Sequence, residues 1–196
     1  MKDWGVHQPI CESSPVALKA KEVSGLKVIF EETERVLGSD HEETLTCITK
    51  LARSLRGQGK LNEALPLYQR AFETSERTLG RDHPNTLISL IYLAVIIKKQ
   101  GKLMEAEPLF RRALVTSERV LGVDHVDTLT SVNNLAVLLR DLGRFKEAEP
   151  LSRRHLEMIE RNLGLDHPDT LMSVNNLASL LQDLGRLNEA EQCSRS

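Results

Sequence analysis

The sequence of 196 residues has few aromatic side chains, no long apolar run and no excess of one charge. Phe, Trp and Tyr make up only 4% of the residues, so aliphatic side chains must fill the core. The 26 basic and 28 acidic residues give a formal net charge of -2, which argues against general attraction to nucleic acid or to a membrane surface. Apolar runs stay shorter than the roughly 18 residues of a membrane-spanning helix. We therefore expect neither nucleic acid nor membrane as a partner.

Cysteines and catalytic motifs are also scarce. Cys11, Cys47 and Cys193 form an odd, scattered set without C-x-x-C spacing, which indicates free thiols rather than a disulfide framework or a zinc site. The sequence contains no Gly-rich phosphate loop, no H-E-x-x-H and no G-x-S-x-G. The N-terminus has no apolar stretch typical of a signal peptide. These absences predict a cytoplasmic protein that is not an enzyme and binds no cofactor.

What the sequence does contain is an internal repeat of 42 residues. Residues 121–154 and 163–196 are identical at 24 of 34 aligned positions, which indicates duplication. The phrase LG-x-DH-x-x-TL opens each unit, and it begins at Leu37, Leu79, Leu121 and Leu163.

Each repeat carries two amphipathic helical patterns. In the third repeat the first pattern places five apolar residues on one helix face, namely Leu129, Val132, Leu135, Ala136 and Leu139. Gly143 ends that helix, and the second runs from about Phe145 to Leu163, where Gly164 ends it. Asp166 or His167 then occupies the N-cap position of the next helix, with Pro168 in its first turn.

Alanine recurs at one position of each helix. Such positions mark close helix crossings, because a larger side chain would hold the two backbones apart. A single helix pair of this size cannot bury its apolar face, so stacking on the next pair is expected to give a solenoid. The alanines are Ala52, Ala94, Ala136 and Ala178 on the first helices, and Ala64, Ala106, Ala148 and Ala190 on the second.

The four histidines of the DH motif could suggest a metal site. They are His41, His83, His125 and His167. Each belongs to a different repeat, whereas zinc needs ligands that converge about 2 Å from one point. We therefore interpret them as residues of the helix starts, and we expect no metal.

In the second repeat, the pattern of Ala94, Ile97, Gly101, Ala106, Phe110 and Ala113 resembles the tetratricopeptide repeat. The 42-residue version with NNLA, EAE and LG-x-DHP-x-T is similar to kinesin light chain and related long-repeat proteins. The resemblance implies an all-α fold, a right-handed α-solenoid of antiparallel helix pairs. Residues 1–36 lack the sustained heptads of a coiled coil, so a motor-subunit role does not transfer.

The repeat period also predicts the domain boundaries. An irregular segment, 1–15, precedes a repeat array over 16–196. The array consists of a half repeat, 16–37, three repeats, 38–79, 80–121 and 122–163, and a truncated repeat, 164–196. We expect the last repeat to lack a polar cap, which leaves an open C-terminal end.

The third repeat departs from the family pattern. Ser152 and His155 stand where an aromatic residue and an alanine are expected, so we predict that this interface packs differently and less tightly. His155 is interpreted as a repacked core histidine, and a pH-sensing role is the alternative.

In tetratricopeptide proteins, residues beside the packed Leu-Ala pair of the first helix point into a concave groove that holds a peptide or a partner helix. The resemblance implies that Lys50, Arg53, Arg56, Tyr92, Lys98, Asn133, Asn134, Arg140, Asn175 and Asn176 line this groove here, flanked by Thr49, Ile91, Val95, Lys99, Val137, Ser179 and Gln182. The basic residues cluster in the first two repeats, which favours a partner with an acidic segment.

The sequence therefore predicts a protein–protein interaction scaffold. Two alternatives remain open. The chain could self-associate through its open C-terminal end as a structural module, or it could be the sensor segment of a larger signalling protein.

Overall fold

The computed structural model describes the backbone of residues 15–195 and the side chains of residues 21–192. The predicted irregular segment lies outside the described residues except for Pro15. Within this range every regular element is an α-helix. The nine helices are α1 (Pro15–Leu37), α2 (Glu42–Gly57), α3 (Leu61–Leu79), α4 (Pro84–Lys99), α5 (Leu103–Val120), α6 (Val126–Asp141), α7 (Phe145–Leu163), α8 (Pro168–Asp183) and α9 (Leu187–Arg195).

The chain divides into two compact units, one up to Thr78 and one from Leu79. We call them unit 1 and unit 2. In unit 1, α1 packs on α2, and the apolar face of α2 buries Ile48, Leu51 and Leu55. In unit 2 each helix from α4 to α8 packs on the helix that follows it. Short turns join these helices, so neighbours in sequence run antiparallel.

The core of unit 2 is built where first and second helices cross. Ala94, Ala106 and Ala148 are fully buried there with the ring of Phe110 and the side chain of Val132. Each of the eight recurring alanines is buried in its own unit, as their constant size predicts.

The repeat histidines start the first helices. In His41, His83, His125 and His167 the ring Nδ1 accepts a hydrogen bond of 3.2 Å from the backbone N–H two residues later. This satisfies one of the N–H groups that lack a partner at a helix start. At the fourth connector the cap is therefore His167, not Asp166. Gly143 and Gly164 end α6 and α7 with φ of 72° and 85°, as predicted.

Ion networks repeat along the second helices of unit 2. In the first, Glu107 Oε1 accepts from Arg111 Nε at 2.8 Å and from Arg144 Nη1 at 2.6 Å. Both arginines also donate to Glu147. These bonds link α5 to the start of α7. The same four contacts, one repeat later, link α7 to the start of α9, and their residues are Glu149, Arg153, Arg186 and Glu189.

Candidate functional site

The groove residues predicted in unit 1 lie around one depression. Lys50, Arg53 and Arg56, on α2, line an open cavity of about 400 Å³ with Glu22 and Leu26 of α1. Three basic side chains and one carboxylate therefore line this cavity, so its lining is predominantly basic.

The groove residues predicted on α4 have different environments. Tyr92 is partly exposed, whereas Ile91 is buried in the core of unit 2, so its placement in the groove was wrong. The residues beside the packed Leu-Ala pair do not all lie on the groove face of α4, and Ile91 lies on the buried face. Lys98 forms an ion pair of 2.9 Å with Asp141 at the end of α6. Its side chain is 21% exposed, so this charge is largely matched within the protein.

The structure brings two of the predicted asparagines together in unit 2. Asn133 of α6 and Asn176 of α8 line the same cavity of about 230 Å³, and α7 contributes the rest of its wall. Asn134, Asn175 and Arg140 do not line this cavity. We call it the α6–α8 cavity.

The two asparagines come from different positions of the NNLA motif. Asn133 is the first asparagine of its pair, and Asn176 is the second of its pair. Neighbouring residues of a helix point about 100° apart, so the two asparagines of each pair face different sides of their helix. This explains why only one asparagine of each pair reaches the α6–α8 cavity.

His155 of α7 also lines the α6–α8 cavity. Its side chain is 7% exposed, which agrees with the prediction of a core histidine. The ring Nδ1 lies 3.0 Å from Ser173 Oγ. Burial lowers the pKa of His155 below its usual value, although the negative charge of Asp169 acts in the opposite direction.

Sequence reasoning missed the other residues of this cavity. The apolar part is formed by Val126, Leu129, Ile159, Leu163 and Met172, and the polar part includes Thr130, Asp169 and Ser173. A helical-wheel argument could have found the α8 members, because residues 169, 172, 173 and 176 follow the i, i+3, i+4, i+7 spacing of one face. The α7 members, His155, Ile159 and Leu163, follow the i, i+4, i+8 spacing of one face as well.

The described residues contain neither a metal-binding cluster nor a membrane-spanning helix. No three His, Cys, Asp or Glu side chains of this part of the chain lie close enough together to hold a metal ion. None of the helices in the described range is both long enough and apolar enough to cross a membrane.

Comparison with family models identifies the repeats. Tetratricopeptide repeat models match residues 44–85, 90–161 and 130–196. The chain belongs to the tetratricopeptide repeat family. A comparison with curated protein sequences gives no significant match.

Solved structures of kinesin light chain-type repeats are similar to this tetratricopeptide protein. It is 26% identical to the nearly identical TPR-like repeats of a Podosopora anserina protein assigned as a kinesin light chain, with a TM-score of 0.77, covering 90% of this chain and 84% of that one. It is 21% identical to BtubC (BKLC) from P. vanneervenii, with a TM-score of 0.73 and coverage of 93% and 80%. MamA AMB-1 is 17% identical, with a TM-score of 0.56 and coverage of 90% and 93%.

These matches confirm the family and the all-α repeat solenoid that the sequence predicts. The handedness of the solenoid and the exact repeat boundaries stay predictions. Repeat proteins of this family typically mediate protein interactions.

Proposed function

We propose that this protein is a non-catalytic interaction scaffold whose first helices bind a peptide or helix of a partner protein. The observation that carries the proposal is that Asn133 and Asn176, from successive first helices, line one cavity. An asparagine amide both donates and accepts hydrogen bonds, so it can pair with a peptide backbone. Two amides on one cavity can thus hold an extended segment at two points.

The electrostatics of unit 1 favour a partner with an acidic segment. In unit 1 the lining of Lys50, Arg53 and Arg56 favours an acidic stretch. In unit 2 the contribution of Lys98 to such a preference is reduced by its ion pair with Asp141. An acidic segment of the partner is therefore expected to bind at unit 1.

The test begins with a partner captured by affinity pull-down and identified by mass spectrometry. Its affinity is then measured by calorimetry for the intact protein and for the double variant Asn133→Ala, Asn176→Ala. We expect the affinity to fall by about tenfold or more, since each lost hydrogen bond contributes about 1 kcal/mol. Asn188→Ala, at an exposed position of α9, is the matched control and should bind normally.

The same experiment has a clear negative outcome. Unchanged affinity of the double variant, with helicity preserved in circular dichroism, would refute the assignment of these asparagines. Self-association through the C-terminal end stays a separate prediction. Light scattering over a range of concentrations checks it, because a strict monomer excludes it.

A further inference from the structure

The α6–α8 cavity contains a buried polar atom that the fold itself does not use. His155 is more than nine-tenths buried, and its Nδ1 is bonded to Ser173. Among the described residues, none forms a hydrogen bond with its Nε2. Nε2 is not fully enclosed by the protein either. His155 lines the cavity, and Nε2 keeps some exposed surface. A buried polar atom that borders a cavity is suited to receive a ligand.

The hydrogen bonds of Ser173 determine which form of the ring is present. The Ser173 hydroxyl donates to the backbone oxygen of Asp169 at 2.9 Å. A hydroxyl has one proton, so Ser173 Oγ can only accept from His155. Nδ1 therefore carries the ring proton, and the neutral imidazole presents Nε2 to the cavity as an acceptor.

The charge of the lining points in the same direction. Among the described residues, Asp169 is the one charged side chain that lines the cavity besides any charge on His155, and neither lysine nor arginine lines it. The Asp169 side chain is exposed, lies at the first turn of α8 and has its Oδ2 3.7 Å from Nδ1 of His167. The α6 and α7 residues of the lining other than His155 carry no charge. The cavity thus offers a carboxylate, an imidazole acceptor and two amide oxygens.

The remaining wall is apolar and open. Val126, Leu163 and Met172 border the cavity, and all three are exposed to solvent. Such a surface fits the methylene stem of a long side chain, whose polar head then reaches the acceptors. A carboxylate-bearing side chain would instead meet Asp169 and be repelled.

We propose that the α6–α8 cavity binds a lysine or arginine side chain of the partner segment, with Asp169 and Nε2 of His155 as acceptors. The inference rests on the proposed scaffold function and adds the class of residue that is recognised. It also predicts pH dependence, because a protonated His155 has no acceptor and repels a cation.

The test uses Nα-acetyl-arginine methylamide and Nα-acetyl-lysine methylamide as probes of the free, full chain. The protein carries ¹³C-methyl methionine, and its four methionines give few signals. We expect both probes to shift the Met172 methyl signal and the His155 ring signals at millimolar concentrations. Met104, an exposed methionine of α5, is the internal control and should not shift.

Matched probes test the role of charge. The citrulline analogue has the shape of arginine without its charge and should bind about fivefold or more weakly. The glutamate analogue should not bind. Equal binding of the arginine and citrulline analogues, or no shift of Met172 with either cation, would overturn the proposal.

Matched variants test the two acceptors. Asp169→Asn should lower the affinity for the arginine analogue to about that of the citrulline analogue. His155→Gln keeps an acceptor that does not titrate, so it should bind the probe without the pH dependence of the intact protein. In the intact protein, binding should decline in step with protonation of His155, followed by its own ring signals. Binding that persists after the ring is protonated would contradict the role of Nε2.

These results separate the two proposals. The probe experiment needs no partner and reports only on this cavity. The double variant Asn133→Ala, Asn176→Ala reports on the partner. Suppose partner binding is lost in that variant but neither cationic probe shifts the Met172 signal. The scaffold function would then be supported, and the proposed recognition of a basic side chain would be refuted.

Discussion

Helices α5 and α7 are the second helices of consecutive repeats, and their interiors differ at four positions. Two of these changes replace the polar Thr116 and Ser117 of α5 with Met158 and Ile159 in α7. In α5 Phe110 and Ala113 are fully buried and complete a sealed core. In α7 the same positions hold Ser152, which is partly exposed, and His155, which borders the α6–α8 cavity. The ion networks at the starts of the two helices are alike.

The comparison shows how a repeat protein can gain a site. Each repeat contacts only its neighbours, so a loss of packing at one interface is local and the adjacent interfaces still support it. Replacement of an aromatic ring by serine removes apolar contacts at position 152, which does not line the α6–α8 cavity. Replacement of alanine by histidine places a polar group in the wall of that cavity.

The largest effect is expected when α5 is made to resemble α7 at its aromatic position. Phe110→Ser removes a ring that has no exposed surface, so the free energy of unfolding should fall by about 3–5 kcal/mol. Urea unfolding measures this change. Val115→Ser, at an exposed position of the same helix, should change it by no more than about 0.5 kcal/mol. A loss below about 1 kcal/mol for Phe110→Ser would mean that the α5 core is not sealed as described.

A second test probes the crossing of α6 with its neighbours. Ala136→Leu adds three carbon atoms at a buried position, so it should overpack the core and lower the free energy of unfolding by about 1–3 kcal/mol. Thermal unfolding measures the result. Val126→Leu adds volume at an exposed position of the same helix and serves as the control. An unchanged melting temperature for Ala136→Leu would contradict the packing of the alanine positions.

The sequence predicted these repeated features well because repetition fixes them. The recurring alanines, the glycines with positive φ and the histidines at the helix starts occur in every repeat, so a pattern identifies them. Ile91 was misplaced because a residue next to a packed residue can belong either to the buried face of the helix or to its groove face. The sequence does not say which. The α6–α8 cavity escaped prediction because it depends on how residues from three helices are brought together, which no pattern within one helix reports.

The titration of His155 gives a third, smaller effect that should be specific to α7. Burial lowers its pKa in the folded protein, so the unfolded chain takes up a proton first as the pH falls. Stability should therefore be complete above the ordinary imidazole pKa of about 6.5 and should decline below it, by at most about 1.4 kcal/mol per pH unit. Urea unfolding between pH 7.5 and 5 measures this slope.

The matched variant for this effect is His155→Ala, since alanine stands at the same position of α5. The variant should show a shallower decline between the two pH values than the intact protein. An identical decline would show that other groups cause the pH dependence.

The smallest effect concerns the ion networks and tests whether they contribute equally in α5 and α7. Hydrogen bonds from Arg111 and Arg144 hold the pKa of Glu107 below its usual value, against the effect of burial. For Glu149 burial acts to raise the pKa, but the hydrogen bonds from Arg153 and Arg186 outweigh it and the pKa is also lowered. Both carboxylates therefore stabilise the fold above their ordinary pKa, and this contribution is lost as the pH falls through their lowered values.

Glu107→Gln and Glu149→Gln should each lower the free energy of unfolding by about 1 kcal/mol at low salt, and by less in 1 M NaCl because salt screens the charges. Glu73→Gln, at an exposed position of α3, is the control. Equal costs for Glu107→Gln and Glu149→Gln are expected, since the same four contacts recur in each network. A clearly larger cost for Glu149→Gln would show that the open core of α7 makes its helix depend more on surface charge, and that the two differences are coupled.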